Sequence, residues 1–227
     1  MKSFLKKILP RNLTKVLEIT FDITFNKFNA RQLYLNKIYN YFFIRFNGIK
    51  FNSHVSDIAL FNCFEYKESQ KNSNPLHFAP LLRVQKILSY LPTKYEKYNF
   101  IDIGAGKGIL MYFILKNYKF NFVYGLEFEK SFFEDAKENL KKFNNKFKLI
   151  YNDAKIYKLP DIPFLIYLYN PFKEYIFNKF IDNNIENFKK NKSVLLYHND
   201  TYSENLKKRN DVKRYIEIEQ GSSIYFF

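Results

Sequence analysis

Phe100-Ile101-Asp102-Ile103-Gly104-Ala105-Gly106-Lys107-Gly108-Ile109-Leu110 decides the fold: a short apolar run with one acid in it, three glycines at alternate positions, and a second apolar run. A short apolar run bounded by turn residues reads as a buried parallel strand. The second run, residues 109–115, has helical length and few breakers. Glycines between the two let the chain turn tightly and bring its backbone close to a ligand, where a Cβ would collide. Such a ligand would lie at a helix N-terminus, with backbone N–H groups facing it. The spacing G-x-G-x-G is neither the dinucleotide fingerprint G-x-G-x-x-G nor the phosphate loop G-x-x-x-x-G-K-[ST], so Lys107 is no phosphate-loop lysine. A glycine-rich turn in some other doubly wound protein is the competing reading.

Working outward, residues 121–128 read as a second strand ending in an acid, and Glu127 lies 25 positions after Asp102. A carboxylate at that place can accept from two ribose hydroxyls. Phe132, Phe133, Ala136, Leu140 and Phe143 then recur at helical spacing, opposite Glu134, Lys137, Glu138 and Lys141. A third strand, 147–151, ends in Asn152-Asp153-Ala154, and a fourth, 164–169, runs into Asn170-Pro171-Phe172 at the edge where open sheets bind ligands. Asp153 reads as a ligand contact or as an Asx turn. Pro171 reads as part of a site or as the first-turn proline of the next helix. A helix over 175–188, a fifth strand over 193–197 leading into His198-Asn199-Asp200, and strands over 212–219 and 222–227 about Gly221 complete the pattern. The last two make an antiparallel hairpin.

Asp102 to Gly108 fits acid-x-G-x-G-x-G at every fixed position, and the chain thereby resembles the class I S-adenosylmethionine (SAM) dependent methyltransferases. The resemblance implies an α/β, Rossmann-like class I methyltransferase sheet, mostly parallel with a terminal antiparallel hairpin. It implies SAM as cofactor, S-adenosylhomocysteine as product, and no metal. Asp102, Gly104, Ala105, Gly106 and Gly108 would then line the cofactor, Glu127 with Phe128 beside it would take the ribose, and Asp153 and Ala154 the adenine. The phrase ending Tyr169-Asn170-Pro171-Phe172 is similar to a bacterial group of class I enzymes, which places Asn170 against both cofactor and acceptor. Amino-group methyltransferases carry a second proline in this motif, and its absence here counts against base methylation. A similar asparagine-aromatic element occurs in the non-SET histone lysine methyltransferases. An aromatic-x-Pro element precedes the glycine motif in relatives, and Phe78-Ala79-Pro80 matches it. Phe78 is thus a cofactor contact or, equally, an apolar lead into a helix over 81–91.

The N-terminal part differs from the rest. Residues 1–50 carry ten Lys or Arg against two acids. Phe4, Leu5, Ile8 and Leu9 before Pro10, and Leu13, Val16 and Leu17 after it, suggest two short amphipathic helices. Residues 31–66 are helix-forming and aromatic, and 68–75 form the best loop. The chain is therefore divided into a basic, helical N-terminal cover, 1–75, and a SAM-binding domain, 76–227. Peripheral contact of residues 1–20 with an anionic membrane is the alternative to a cover. Pro10 and Arg11 interrupt any signal-peptide core, and no apolar run approaches the roughly 18 residues of a span. One cysteine, Cys63, excludes an intrachain disulfide and a cysteine-rich zinc site. A cytoplasmic protein is expected, with the inner-membrane surface as the alternative.

A net charge of +15 favours anionic partners, whether nucleic acid, a lipid surface or a phosphorylated substrate. No recognisable nucleic-acid module accompanies it. The expected activity is methyl transfer to a small, polar, anionic acceptor, such as a sugar, sugar nucleotide or phosphorylated precursor of a surface polysaccharide. Amino-group methylation of protein lysine or nucleic acid, and a non-catalytic SAM-binding role, stay open. An oxygen acceptor needs a general base, for which His54, His77, His198 and Asp200 are candidates. Asn170 and His198 form the expected catalytic pair.

Overall fold

The computed structural model describes residues 28–49, 79–92, 95, 97–169, 171–218 and 221–227, and of residues 28–34 the backbone alone. In chain order these form α1 (Phe28–Phe46), α2 (Leu81–Ser89), β1 (Asn99–Ile103), α3 (Ile109–Asn117), β2 (Val123–Glu127), α4 (Lys130–Leu140), β3 (Phe147–Tyr151) and β4 (Phe164–Tyr169). There follow α5 (Glu174–Asn191), β5 (Val194–His198), α6 (Ser203–Lys207), β6 (Arg214–Ile218) and β7 (Ser222–Phe226).

One sheet runs in the order β3-β2-β1-β4-β5-β7-β6. All neighbours from β3 to β5 are parallel, while β7 is antiparallel to both β5 and β6. β1 is buried along its whole length and β4 at every position but Tyr169, which is why both read as continuous apolar runs rather than alternating ones. The register sets Asp102 opposite Gly125 and Tyr167, Tyr169 opposite His198, and His198 opposite Ser222.

Each face of the sheet carries its own apolar layer. Phe100, Leu165, Tyr167 and Leu196 pack with Tyr41, Phe43 and Ile44 of α1, Leu81, Val84 and Ile87 of α2, and the buried stretch Ile109–Ile114 of α3. Ile101, Ile103, Ile166, Leu168 and Leu195 pack with Phe177, Phe180, Ile181 and Phe188 of α5. Burying one such side chain is worth about 1.5–3 kcal/mol, so these two layers supply most of the drive for folding.

Helix α2 starts at Pro80, which offers no side-chain cap. Helix α1 supplies one: Asn40 Oδ1 accepts the Leu81 amide at 3.1 Å, Asn40 Nδ2 donates to Ala79 O at 2.9 Å, and Asn36 Oδ1 accepts the Arg83 amide at 3.3 Å. The Leu81 amide, which the helix cannot satisfy internally, is thus met from another helix, while the Arg83 amide is shared with Pro80 O at 2.8 Å.

Several expected boundaries shift. The helix expected from the recurrence of Phe132 to Phe143 ends at Leu140 and passes into a 3₁₀ turn, Lys141–Lys146, in which Asn144 has φ 48°. Helix α5 is longer than 175–188 and ends where Lys192 takes a left-handed conformation. Of the helical content expected across 31–66, the part to Phe46 lies in α1, and residues 50–66 lie outside the described residues. Helix α6 was not expected, because five residues are too few to show a period.

Candidate active site

The glycine loop leaves the carboxyl edge of β1 through three left-handed positions, Gly104 (φ 81°), Gly106 (φ 52°) and Gly108 (φ 75°). At Gly104 the neighbours also forbid a side chain, and at Gly108 they leave little room for one. A Cβ on Gly104 would stand 2.6 Å from Pro171 Cβ, and one on Gly108 would stand 3.1 Å from both Ala136 Cβ and Leu140 Cδ1. The first contact joins the glycine loop to the segment after β4, so the two most informative stretches of sequence touch. Pro171 stands ahead of α5, whose N-cap is Lys173, and is not a first-turn proline.

Amides of the loop were expected to face a ligand, but those of Gly104, Ala105 and Gly106 are bonded to β2. The first two share Leu126 O at 2.9 Å each, and Gly106 donates to Glu127 Oε2 at 2.7 Å. Buried amides must find partners, and the end of β2 is the nearest source of acceptors. Glu127 Oε1 also accepts the Phe128 and Glu129 amides at 2.9 Å each. A carboxylate has about four acceptor positions, so three are filled and one remains, on Oε2. Burial pushes the Glu127 carboxyl up, opposed by these three amides. Asp102, buried on β1, is held well above the usual carboxylate range by burial first and by the Glu127 charge second.

Lys107 turns away from the loop's open side. Its Nζ pairs with Asp135 Oδ2 at 2.8 Å and lies 5.6 Å from the Phe132 ring centroid, while Asn139 Nδ2 donates to Lys107 O at 3.0 Å. Lysine here fastens the loop to α4. Gly125 is a further position that sequence reasoning passed over: a Cβ there would lie 2.2 Å from Met111 Sδ, so α3 rests directly on β2. A glycine inside a strand pattern was the available signal.

Asp153 is exposed, and its Oδ1 accepts the Lys155 amide at 2.8 Å, the geometry of an Asx turn. Ala154 beside it is buried. Asn170, Phe78, His54 and His77 lie outside the described residues.

His198 closes β5 at the same carboxyl edge, 1% exposed. The Tyr169 ring meets it edge-on with centroids 4.7 Å apart, and Tyr167 lies 6.3 Å away. Burial, and next the Arg83 charge, pull its pKa down to about 3. The imidazole is therefore neutral at physiological pH and holds protons only weakly in this state. Arg83 is half-buried on α2, and burial lowers its own pKa, opposed by the electrostatic influence of Tyr169 and Tyr167. Asp200 is tied to the turn before β7: its amide donates to Gly221 O at 3.1 Å and its Oδ2 accepts from Ser223 Oγ. Arg83, Tyr167 and Ser222 were not foreseen, since nothing in their local sequence marks them.

A sheet of this order with a reversed β7, and a glycine loop opening from β1, is the class I methyltransferase fold. No protein-family model matches the chain, and no curated protein matches it by sequence. Among solved structures it is similar to a protein of Pyrococcus horikoshii assigned as an RNA methyltransferase: 18% identity, TM-score 0.50, covering 74% of this chain and 94% of that one. It is also similar to the methyltransferase domain of bacterial CtHen1, at 15% identity and TM-score 0.48, covering 65% and 97% of the two chains. An RNA methyltransferase of Salinibacter ruber, solved with S-adenosyl-L-homocysteine, matches at 14% identity and TM-score 0.43, covering 66% and 92%. At such identities the likeness to the Pyrococcus protein establishes the fold alone.

Proposed function

We infer that this protein is a SAM-dependent methyltransferase acting on a small, polar, anionic acceptor, with a sugar, sugar nucleotide or phosphorylated polysaccharide precursor as the class. The observation that carries the cofactor half is Glu127: a buried carboxylate at the end of β2, held at the glycine loop by the Gly106 amide, with an acceptor position left for a hydroxyl. SAM brings its own activated methyl group, so the protein has only to align the acceptor and receive a proton. Asp102 and the loop Gly104–Gly108 line the cofactor, Phe128 flanks it, and Ala154 with the backbone at Asp153 lies toward the adenine. Asn170 positions the acceptor. The N-terminal part, with α1 as its described element, covers the site, and the protein works in the cytoplasm. Among the described residues no helix is long and apolar enough to cross a membrane.

Calorimetry with SAM and S-adenosylhomocysteine tests this. Gly106→Val should abolish binding and Glu127→Ala should weaken it by about 1.5–3 kcal/mol, the range for hydrogen bonds to a charged group. Unchanged affinity in both variants sinks the cofactor assignment.

One observation favours a second reading, amino-group methylation of RNA. A cleft near the amino edge of β6 is lined by Lys189, Lys208, Arg209, Asn210, Asp211 and Lys213. Arg209 is neutralised by Asp182 and Asp211, and Lys189 pairs with Glu186, which leaves Lys208 and Lys213 as the cleft's net charge. That edge lies one strand length, roughly 16 Å, along the sheet and four strand spacings, roughly 19 Å, across it from the glycine loop, so only a polymer could reach both. Tritium transfer from labelled SAM to bulk RNA, with small-molecule extracts unlabelled, would put this reading first.

A further inference from the structure

The cleft at the amino edge of β6 continues into a second one, lined by Asn178, Asp182, Asn205 and Leu206, and the two share Lys208 and Arg209. Together they form a groove between α5 and α6, on the face of the sheet opposite α1, α2 and α3. Arg209 is a fixed part of its wall. Its Nε and Nη2 donate to the two oxygens of Asp211 at 2.9 Å each, and Nη1 donates to Asp182 Oδ1 at 2.8 Å. These bonds use three of the five N–H groups, so a guanidinium held in place keeps two for a ligand. Lys208 and Lys213 beside it are exposed and enter no ion pair among the described residues. The other end of the groove carries an aromatic ring. On α5, Tyr175, Asn178, Asp182 and Lys189 are spaced i, i+3, i+7 and i+14, which puts them on one stripe of the helix. The last three line the groove, and Tyr175, 60% exposed, continues the stripe into the first turn of α5. That turn follows Pro171, which is packed against Gly104 of the glycine loop. Lys179, one turn from Tyr175 and in no ion pair among the described residues, adds a cation beside the ring. About 21 Å of helix separates Tyr175 from Lys189, the length of roughly six stacked nucleotides. Because α5 packs beneath β1, β4 and β5, the groove leads from the far flank of the sheet toward the candidate site.

We propose that this groove is a track for a single-stranded polynucleotide, in which Lys208, Lys213 and the two remaining N–H groups of Arg209 hold phosphates and Tyr175 stacks on a base beside the candidate site. This deepens the RNA reading above and rests on it for the choice of RNA. Cations that follow a backbone, with an aromatic ring on which a base of any kind can stack, are what a single strand requires. A duplex keeps its bases stacked on one another and offers none to Tyr175.

Fluorescence anisotropy of a labelled oligouridylate, titrated with the full chain, tests the track. Affinity should rise with strand length up to roughly six nucleotides and fall as salt rises. The slope of log affinity against log salt should shrink by about 0.7 in Lys208→Gln and again in Lys213→Gln, one phosphate contact each. Tyr175→Ala should weaken binding by about fivefold or more and leave the slope alone. All three side chains are exposed, so the variants should fold and keep the wild-type affinity for S-adenosylhomocysteine. Slopes unchanged in both lysine variants would put the strand elsewhere on this basic chain and overturn the proposal. A blunt RNA duplex bound as tightly as the single strand, or full affinity in Tyr175→Ala, also overturns it. Phosphatidylglycerol vesicles that bind through the same lysines, with no binding of oligouridylate, would give the groove to a lipid surface instead. Binding as expected, with no tritium passing from labelled SAM to the strand, upholds the track and counts against RNA methylation alone.

Discussion

Pro171 occupies the space that a side chain at Gly104 would need, with its Cβ 2.6 Å from where that side chain would begin. The contact couples the loop after β1 to the segment after β4, and it makes Gly104 irreplaceable for two separable reasons.

Gly104→Ala should destabilise by about 1–2 kcal/mol from the left-handed conformation alone and by a further roughly 1–3 kcal/mol from overpacking. Adding Pro171→Gly should recover the second part and not the first. Denaturant unfolding of the two single variants and the double variant measures this coupling, and strict additivity would show that the two residues do not meet.

Lys107 is 3% exposed and Asp135 is its ionic partner. Asp135→Ala takes an ionic partner from a buried ammonium, and should cost less than the roughly 3–5 kcal/mol of a fully buried pair because the Asp135 side chain keeps 29% exposure. Lys107→Met removes the charge with its need for a partner and should cost less than Asp135→Ala. The reverse order of unfolding midpoints would refute this account of the pair.

Asp102 sets a pH dependence of stability. Its folded-state pKa lies well above the unfolded value of about 3.9, so between the two the folded state binds the extra proton. Stability must therefore fall as pH rises through that window. Asp102→Asn removes the slope: it should gain on the wild type in urea midpoint above the ordinary carboxylate range and show no gain below it. Parallel pH profiles for the two proteins would contradict the buried charge.

Asn40→Ala should cost about 1–3 kcal/mol, since it strands the Leu81 amide and Ala79 O, both of which Asn40 alone bonds from α1. Hydrogen exchange should quicken first in α2. Equal quickening throughout the sheet would mean that α1 acts by packing and not through this cap.

What the sequence reveals follows from the range of each signal. The glycine loop, Glu127 and all seven strands are legible because each is a local pattern: alternate glycines, an acid closing an apolar run, a turn at Gly221. The Tyr167, His198 and Ser222 group is not, because its members come from three strands and become neighbours only through the sheet register. Asn36 and Asn40 are hidden similarly, since a cap donated by another helix leaves no local signature. Asp153 shows the opposite case, where two readings of one acid were visible and its side chain is engaged in the Asx turn.

The position of β7 constrains the order in which the sheet can assemble. It follows β6 in the chain yet lies between β5 and β6, and among the described residues β6 has no other strand beside it. During synthesis β6 leaves the ribosome first and has no pairing partner until β7 arrives, with Ile216 and Ile218 still to be covered. An unpaired strand with apolar residues is a template for pairing with other chains. Crowded nascent chains would meet that hazard at this flank, whereas β1 and β2 join across the short α3 crossover and close early.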